Sequence, residues 1–383
     1  MLITRNTFLE AAAGASLSIS GAAVPRSYKR LKDLIIYKDP NFYSAFPSIV
    51  RRPSGELIVA FRRAPDRRRV GGKGYTHTDP NSNLVLVRSR DNGENWTKDP
   101  ELIHAHPEGG SQDPCMVQLR DGTLVCASYA WYWMPPSAQM PENGHAPYRF
   151  LGGYIVRSID GGKRWQGPYV PPPVPGRNLK DAFGQPLPAY NRGAMCQGRD
   201  GRLYWVVAYG WEKMYPSDLH LLISSDGGKT WKYSCRVAWD DKVEFNETSL
   251  YETPKGDLVA FIRTAKFDDH TVIARSTDGG KSFERWQDAG FQGHPHHALR
   301  LPDNRVWLVY GYRHKPYGIR ARILDPECTN AATAPEIVLR EDGGSGDIGY
   351  PWSTLLAGGR VLSVYYFNTD PDGPRWIAGT ICG

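Results

Sequence analysis

At five points the chain sets a polar, chemically able residue directly ahead of a short apolar run. Asp113 precedes Pro114-Cys115-Met116-Val117, Arg192 precedes Gly193-Ala194-Met195, and Glu247 precedes Thr248-Ser249-Leu250-Tyr251. His296 and His297, with His294 just upstream, precede Ala298-Leu299, and Tyr350 precedes Pro351-Trp352-Ser353. Carboxylates and imidazoles move protons. A phenol attacks as a nucleophile once a neighbouring base takes its proton. A guanidinium grips a carboxylate through two parallel hydrogen bonds. A carboxylate placed as Glu247 is has no reason to be buried unless it is paired. Arginines close or follow the apolar runs: Arg62 after Ala60-Phe61, Arg263 after Phe261-Ile262, and Arg320 after Gly318-Ile319, with Arg313 nearby. The loop Gly74-Tyr75-Thr76-His77-Thr78-Asp79-Pro80-Asn81 adds an imidazole and a carboxylate two residues apart, and Asp66 lies upstream of it. No spacing resembles a dedicated zinc motif, so no metal and no cofactor is expected.

The elements that must position these residues are repeats. The pattern S-x-D-x-G-x-x-W occurs at Ser89–Trp96, Ser158–Trp165 and Ser224–Trp231, and again at Ser276–Phe283 with Phe closing it. Each copy follows an apolar run, so a strand enters, an Asp-x-Gly turn reverses the chain, and an aromatic packs back over the hairpin. Between these boxes lies a second repeat, two apolar strands around a Gly or Asp-Asn turn. It recurs six times, opening near Phe46, Asp113, Arg192, Glu247, His296 and Tyr350. Six hairpins with outer box turns predict an all-β, six-bladed β-propeller over residues 28–383. The first strand of each blade begins at the axis, so the opening residues are expected to converge there. The fifth and sixth blades carry no recognisable box. Two inserts rich in Pro and aromatics, Trp131–Phe150 and Tyr169–Tyr190, are expected as ordered loops around the mouth. In the first, Trp131, Tyr132 and Trp133 are candidates for stacking on a ligand.

Length and composition agree. The chain has 383 residues with 40 Gly, 30 Pro, 21 Tyr and 12 Trp, and no long stretch has helical period. The net charge of +7 is spread out except at Arg67-Arg68-Arg69. It lacks the sustained basic stripe of a nucleic-acid surface and suits an anionic small substrate. The six Cys include no C-x-x-C pair, which argues against a disulfide scaffold, and Cys115 and Cys126 read as core thiols. Residues 1–27 join Arg5 and Phe8-Leu9 to a small apolar run ending in Ala22-Ala23-Val24. They are expected to be an export signal, similar to a twin-arginine signal with one arginine lost, leading to the periplasm or outside. No later segment is long and apolar enough to span a membrane.

Asp-boxes between propeller hairpins resemble the sialidase (neuraminidase) superfamily, the BNR-repeat proteins, over essentially the whole mature chain. The resemblance is specific for fold and weak for activity, because that superfamily holds hydrolases, lyases and non-catalytic sugar binders. It implies Tyr350 as nucleophile at an anomeric carbon, Glu247 as its base, and Asp79 as acid/base, with Asp66 or His77 as substitutes. It implies Arg263 and Arg320 as two members of an arginine triad gripping the substrate carboxylate, with Arg192 and Arg313 as substitutes. Asp113 would bind sugar hydroxyls, and His77 and His296 would line the site. The chain departs from the pattern where the first triad arginine belongs: an Arg-Ile-Pro stretch is here Ala45-Phe46-Pro47. The glutamate that would support that arginine is also missing from Val364-Tyr365-Tyr366-Phe367, and Arg62 or Arg192 would have to compensate. The first expectation is an exported, exo-acting glycoside hydrolase that cleaves a terminal sugar, acidic or neutral, from glycans. A polysaccharide lyase acting on a uronate is second, motivated by the histidines near the axis. A non-catalytic carbohydrate-binding propeller is third.

Overall fold

The computed structural model describes residues 27–70, 77–134, 148–176, 178–209 and 217–383. The expected export signal over 1–27 therefore lies, but for Ser27, outside the described residues, as does the middle of the first insert. The described strands form six antiparallel sheets. Blade 1 runs from Phe42 to His104, blade 2 from Gly110 to Tyr169, and blade 3 from Cys196 to Ala238. Blade 4 runs from Glu244 to Gln292, blade 5 from His296 to Arg340, and blade 6 from Gly349 to Cys382. Inner strands of neighbouring blades touch from blade 3 through blade 6 and on to blades 1 and 2, and Gly193 N, just ahead of blade 3, donates to Cys115 Sγ of blade 2. The six-bladed propeller is the architecture, and two short 3-10 turns are the helical content of the described residues.

Blade 6 is completed from the other end of the chain. Its outer strand is Arg30–Tyr37, which pairs antiparallel with Trp376–Cys382 and sets Asp33 opposite Thr380. No turn links the third and fourth strands of this blade, which is why it has no box. In blade 5 the longer turn after Leu324 uses Asp325 instead, whose carboxylate accepts from the amides of Glu327, Thr329 and Asn330. The four boxes close as their residue types predict. In the first, Ser89 donates to Asp91 at 2.8 Å and accepts from Gly93 N, and Asp91 accepts from Asn95 N at 2.9 Å. Gly93 sits at φ 92°, a region glycine enters without strain, and Trp96 Nε1 donates back to its carbonyl. Between blades the core is aromatic and aliphatic. Trp205 and Trp307 are fully buried, Trp307 against Val361, Tyr365, Phe367 and Trp376 of blade 6. Each such side chain contributes about 2–3 kcal/mol.

One irregularity recurs where the inner strands begin. In blade 1, Phe46 and Pro47 together oppose Phe61, between the pairs Ala45↔Arg62 and Ser48↔Ala60. In blade 4, Asn246 and Glu247 oppose Arg263, and in blade 6, Tyr350 and Pro351 oppose Tyr365. A bulge of two residues against one bends the strand and re-aims a side chain. Phe46 and Tyr350 sit at φ 58° and 52°, backbone that a bulky residue enters only under strain. The same device in three blades turns Phe46, Glu247 and Tyr350 toward one centre.

Candidate active site

At that centre the Tyr350 hydroxyl donates to Glu247 Oε1. Arg263 Nη1 donates to Glu247 Oε2 at 2.6 Å and stands 3.3 Å from the same phenol oxygen. Blades 4 and 6 thus supply a phenol, a carboxylate and a guanidinium within one hydrogen-bonded triangle. Glu247 and Tyr350 are buried, whereas the Arg263 side chain is 21% exposed and forms the triangle's open side. Burial alone would raise Glu247, but the charge and hydrogen bond of Arg263, the bond from Tyr350 and the charge of Arg192 hold it down to about 2. Tyr350 is pushed up, by burial first and by Glu247 second, so it rests as a neutral phenol. Arg263 is raised, its burial outweighed by Glu247.

Two further arginines frame the Tyr350 ring. Arg192, fully buried in blade 3, lies 4.6 Å from the ring centre and donates to the Tyr350 carbonyl at 3.0 Å. Arg313 lies 5.0 Å from the same ring and donates to Ile348 O and, at 2.8 Å, to the Tyr366 hydroxyl. Asp113 stands among Arg192, Arg62 and Glu247; burial first, then Glu247, pushes it up to about 7 against the two arginines. Arg62 is buried on the blade 1 side, 5.6 Å from the Tyr43 ring, and burial lowers its pKa.

Other expected residues sit elsewhere. Arg320 does not reach Tyr350. It stacks at 4.9 Å on Tyr312, lies 3.4 Å from Glu336 and donates to the Arg340 carbonyl. It belongs to the third strand of blade 5, away from the axis, whereas Arg313 follows the end of the second strand, next to the bulges. Asp79 is fully buried and held by Arg67 through bonds of 2.6 and 2.8 Å. Asp66 is tied to Arg68. His296 is buried against Thr271 Oγ1 at 2.8 Å, and His297 stacks on Trp352 at 4.5 Å; burial lowers each to about 3. Trp131 stacks on Phe150 at 3.7 Å and so packs its insert down, while Trp133 stays partly exposed. Cys115 and Cys126 are buried free thiols, as their surroundings predict.

His77 is brought in, with partners its sequence did not suggest. Its Nε2 lies 2.8 Å from Tyr43 Oη and 3.1 Å from Asp347 Oδ1. Asp347 also accepts from Tyr366 and Arg375, each at 2.9 Å. Asp347 and Tyr43 went unread because nothing marks them locally. Asp347 stands in a polar turn three residues before Tyr350, and Tyr43 in a strand's opening alternation. A cleft of about 760 Å³ between blades 1 and 2 lies at the other end, among box residues Asp91, Asn95, Trp96 and Asp160. There Arg88 bonds Glu101 and the Gly161 carbonyl, so that cleft joins blades.

Known structures agree with this fold. A protein of unknown function from Dyadobacter fermentans is 56% identical over 94% of this chain and 99% of its own, with a TM-score of 0.89. A Hadza microbial sialidase is 16% identical over 88% of this chain, TM-score 0.61, and this chain spans 65% of its length. The NanB sialidase from Streptococcus pneumoniae is 14% identical over 92% of this chain and 69% of its own, TM-score 0.61. At those identities the likeness to the sialidases carries the fold. No curated protein matches. Residues 142–362 match the BNR repeat-like domain, and the chain belongs to that family.

Proposed function

We propose that this chain is an exo-acting glycoside hydrolase that removes a terminal acidic sugar, exported by way of residues 1–27. The observation that carries the reading is the triangle of Tyr350, Glu247 and Arg263. Arg263 and Arg313 would take the sugar's carboxylate, and their placement against Tyr350 would set the anomeric carbon over the phenol. A neutral phenol is not repelled by an anionic substrate, as a carboxylate nucleophile would be. Substrate charge on the two arginines also offsets the field that holds Glu247 down, so the carboxylate becomes a better proton acceptor once substrate is bound. Tyr350 then gives its proton to Glu247 as its oxygen bonds to the anomeric carbon. The phenol oxygen, gaining negative charge as its proton leaves, stabilises the oxocarbenium-like transition state. Water releases the sugar from Tyr350 in a second step.

The test is a panel of 4-nitrophenyl glycosides of N-acetylneuraminic, glucuronic and galacturonic acids, assayed with wild type and Tyr350→Phe. Nitrophenol release by wild type and its loss in Tyr350→Phe, with unchanged thermal unfolding, is the expected result. Equal turnover by both proteins refutes the assignment.

A further inference from the structure

The triangle holds a nucleophile and its base, and leaves open which group protonates the departing oxygen. Asp79, where the resemblance would put that group, is fully buried and already carries two bonds from Arg67. Two residues earlier the same loop presents His77, whose side chain is 53% exposed. One edge of its ring is fixed. Nε2 meets Tyr43 Oη and Asp347 Oδ1, and Tyr43 Oη lies 3.1 and 3.2 Å from the two Asp347 oxygens. Asp347 is itself anchored by Tyr366 and by Arg375, which also donates to the Pro371 and Gly373 carbonyls. The hydrogen bond and charge of His77, with Arg375 and Arg313, outweigh burial and keep this carboxylate ionised. The Phe46 ring bridges to the nucleophile, 5.4 Å from His77 and 4.8 Å from Tyr350. Tyr366 joins the Asp347 carboxylate to Arg313.

We infer that His77, oriented by Asp347 and Tyr43, is the general acid and base of the reaction; this rests on the hydrolase reading above. With Nε2–H directed at Asp347, Nδ1 is the nitrogen that exchanges its proton. In the first step Nδ1–H donates to the glycosidic oxygen as the bond from that oxygen to the anomeric carbon breaks and the Tyr350 oxygen bonds to that carbon. In the second, neutral Nδ1 takes a proton from water, whose oxygen displaces Tyr350, and the phenolate recovers its proton from Glu247. Asp347 is a positioning residue.

The experiment compares 4-nitrophenyl and methyl glycosides of the same acidic sugar, using kcat/KM, which reports the first step. A nitrophenolate leaves without a proton and a methoxide does not. In His77→Gln, kcat/KM on the methyl glycoside should fall on the order of 10²–10⁴-fold while the nitrophenyl value falls less than about 10-fold. The ratio is internal to one variant, so partial misfolding cancels from it. Asp347→Asn should shift the ratio in the same direction by a smaller factor. An unchanged ratio in His77→Gln, with wild type active and Tyr350→Phe inactive, overturns this assignment and leaves the hydrolase reading standing. Silence of wild type on every sugar ends both.

Discussion

Replacing Glu247 with glutamine keeps the shape of the side chain and removes its charge, so it isolates what the carboxylate does. In the fold its pKa is held down to about 2, against an ordinary value of 4.5. That difference corresponds to about 3 kcal/mol of stability at neutral pH. The sign follows from the direction of the shift. The folded pKa is depressed, so the contribution is fully present above about 4.5 and is lost as pH falls toward about 2. At pH 3 about 1 kcal/mol of it remains. Glu247→Gln should therefore be less stable than wild type by about 3 kcal/mol at pH 7 and by about 1 kcal/mol at pH 3. The figure agrees with the 3–5 kcal/mol typical of breaking a buried ion pair, at the lower end because Arg263 is partly exposed to water. Urea unfolding of both proteins at the two pH values measures it, since titrating groups that do not feel Glu247 cancel in the difference, and Asp113, which does feel it, is removed by making both proteins in an Asp113→Asn background. Turnover should fall on the order of 10²–10⁴-fold in the same variant, as the phenol loses its proton acceptor. A destabilisation that does not change with pH would refute the claim that Glu247 is an ionised carboxylate paired with Arg263.

Arg313→Lys should lower kcat/KM about 10–100-fold on an acidic glycoside and much less on a neutral one. A lysine lacks the planar fork with which Arg313 bonds Ile348 O and Tyr366 while lying beside the Tyr350 ring; equal losses on both would remove Arg313 from the anion site. Arg320→Lys, by contrast, should leave kcat/KM unchanged within about 2-fold, because its partners are Tyr312, Glu336 and backbone carbonyls, all in blade 5 or the turns within it. His297→Gln bears on acid stability. Buried and neutral, with its pKa lowered to about 3, His297 leaves the unfolded chain to bind the proton, so stability drops as pH falls below about 6.5. The variant should take about 1.4 kcal/mol per pH unit off that slope between pH 6 and 4, read by urea unfolding. Asp226→Ala removes bonds from Lys229 N, Thr230 N and Thr230 Oγ1 in an outer turn. It should cost about 1–3 kcal/mol and leave kcat untouched.

Much of this architecture was legible because it is written locally. An Asp-box is a hydrogen-bond recipe within eight residues, and four copies fix the outer hairpins without knowledge of anything distant. The strand that completes blade 6 carries no such mark. Arg30–Tyr37 finds its partner at the far end of the chain, and only closure of the ring requires it. The site divides along the same line. Glu247, Tyr350 and Arg263 were visible because each stands at a strand opening or strand end, where the repeat itself marks the axis. Arg320 misled because its spacing after a strand suited an axial arginine, while its strand is third in the blade and farther out. His77 was visible as a titratable loop residue. The role proposed for it depends on Asp347 and Tyr43, 270 and 34 residues away, and no local pattern records that meeting.

The two departures from the sialidase pattern become one feature in space. The Phe46 ring meets Tyr366 at 5.1 Å and Tyr350 at 4.8 Å, so blades 1 and 6 face each other through an aromatic wall. An arginine there without its glutamate would bury an unpaired charge, which costs several kcal/mol, so the loss of either favours loss of the other. The wall has an electrostatic consequence for Tyr350. Tyr350 is desolvated on the sides that Phe46 and Tyr366 cover, and burial is the largest influence raising its pKa. A phenol so far from ionising at neutral pH attacks only if its proton leaves during the attack, and Glu247 is the acceptor in contact with it. The proposed attack therefore depends on the carboxylate on the other side of the ring. The hydroxyl of Tyr366 is a polar edge of the wall, and it reaches Arg313 and Asp347 together. Through it the group that would hold the substrate's anion and the group that would orient His77 are joined by one hydroxyl, so a change at Arg313 is expected to be felt at Asp347.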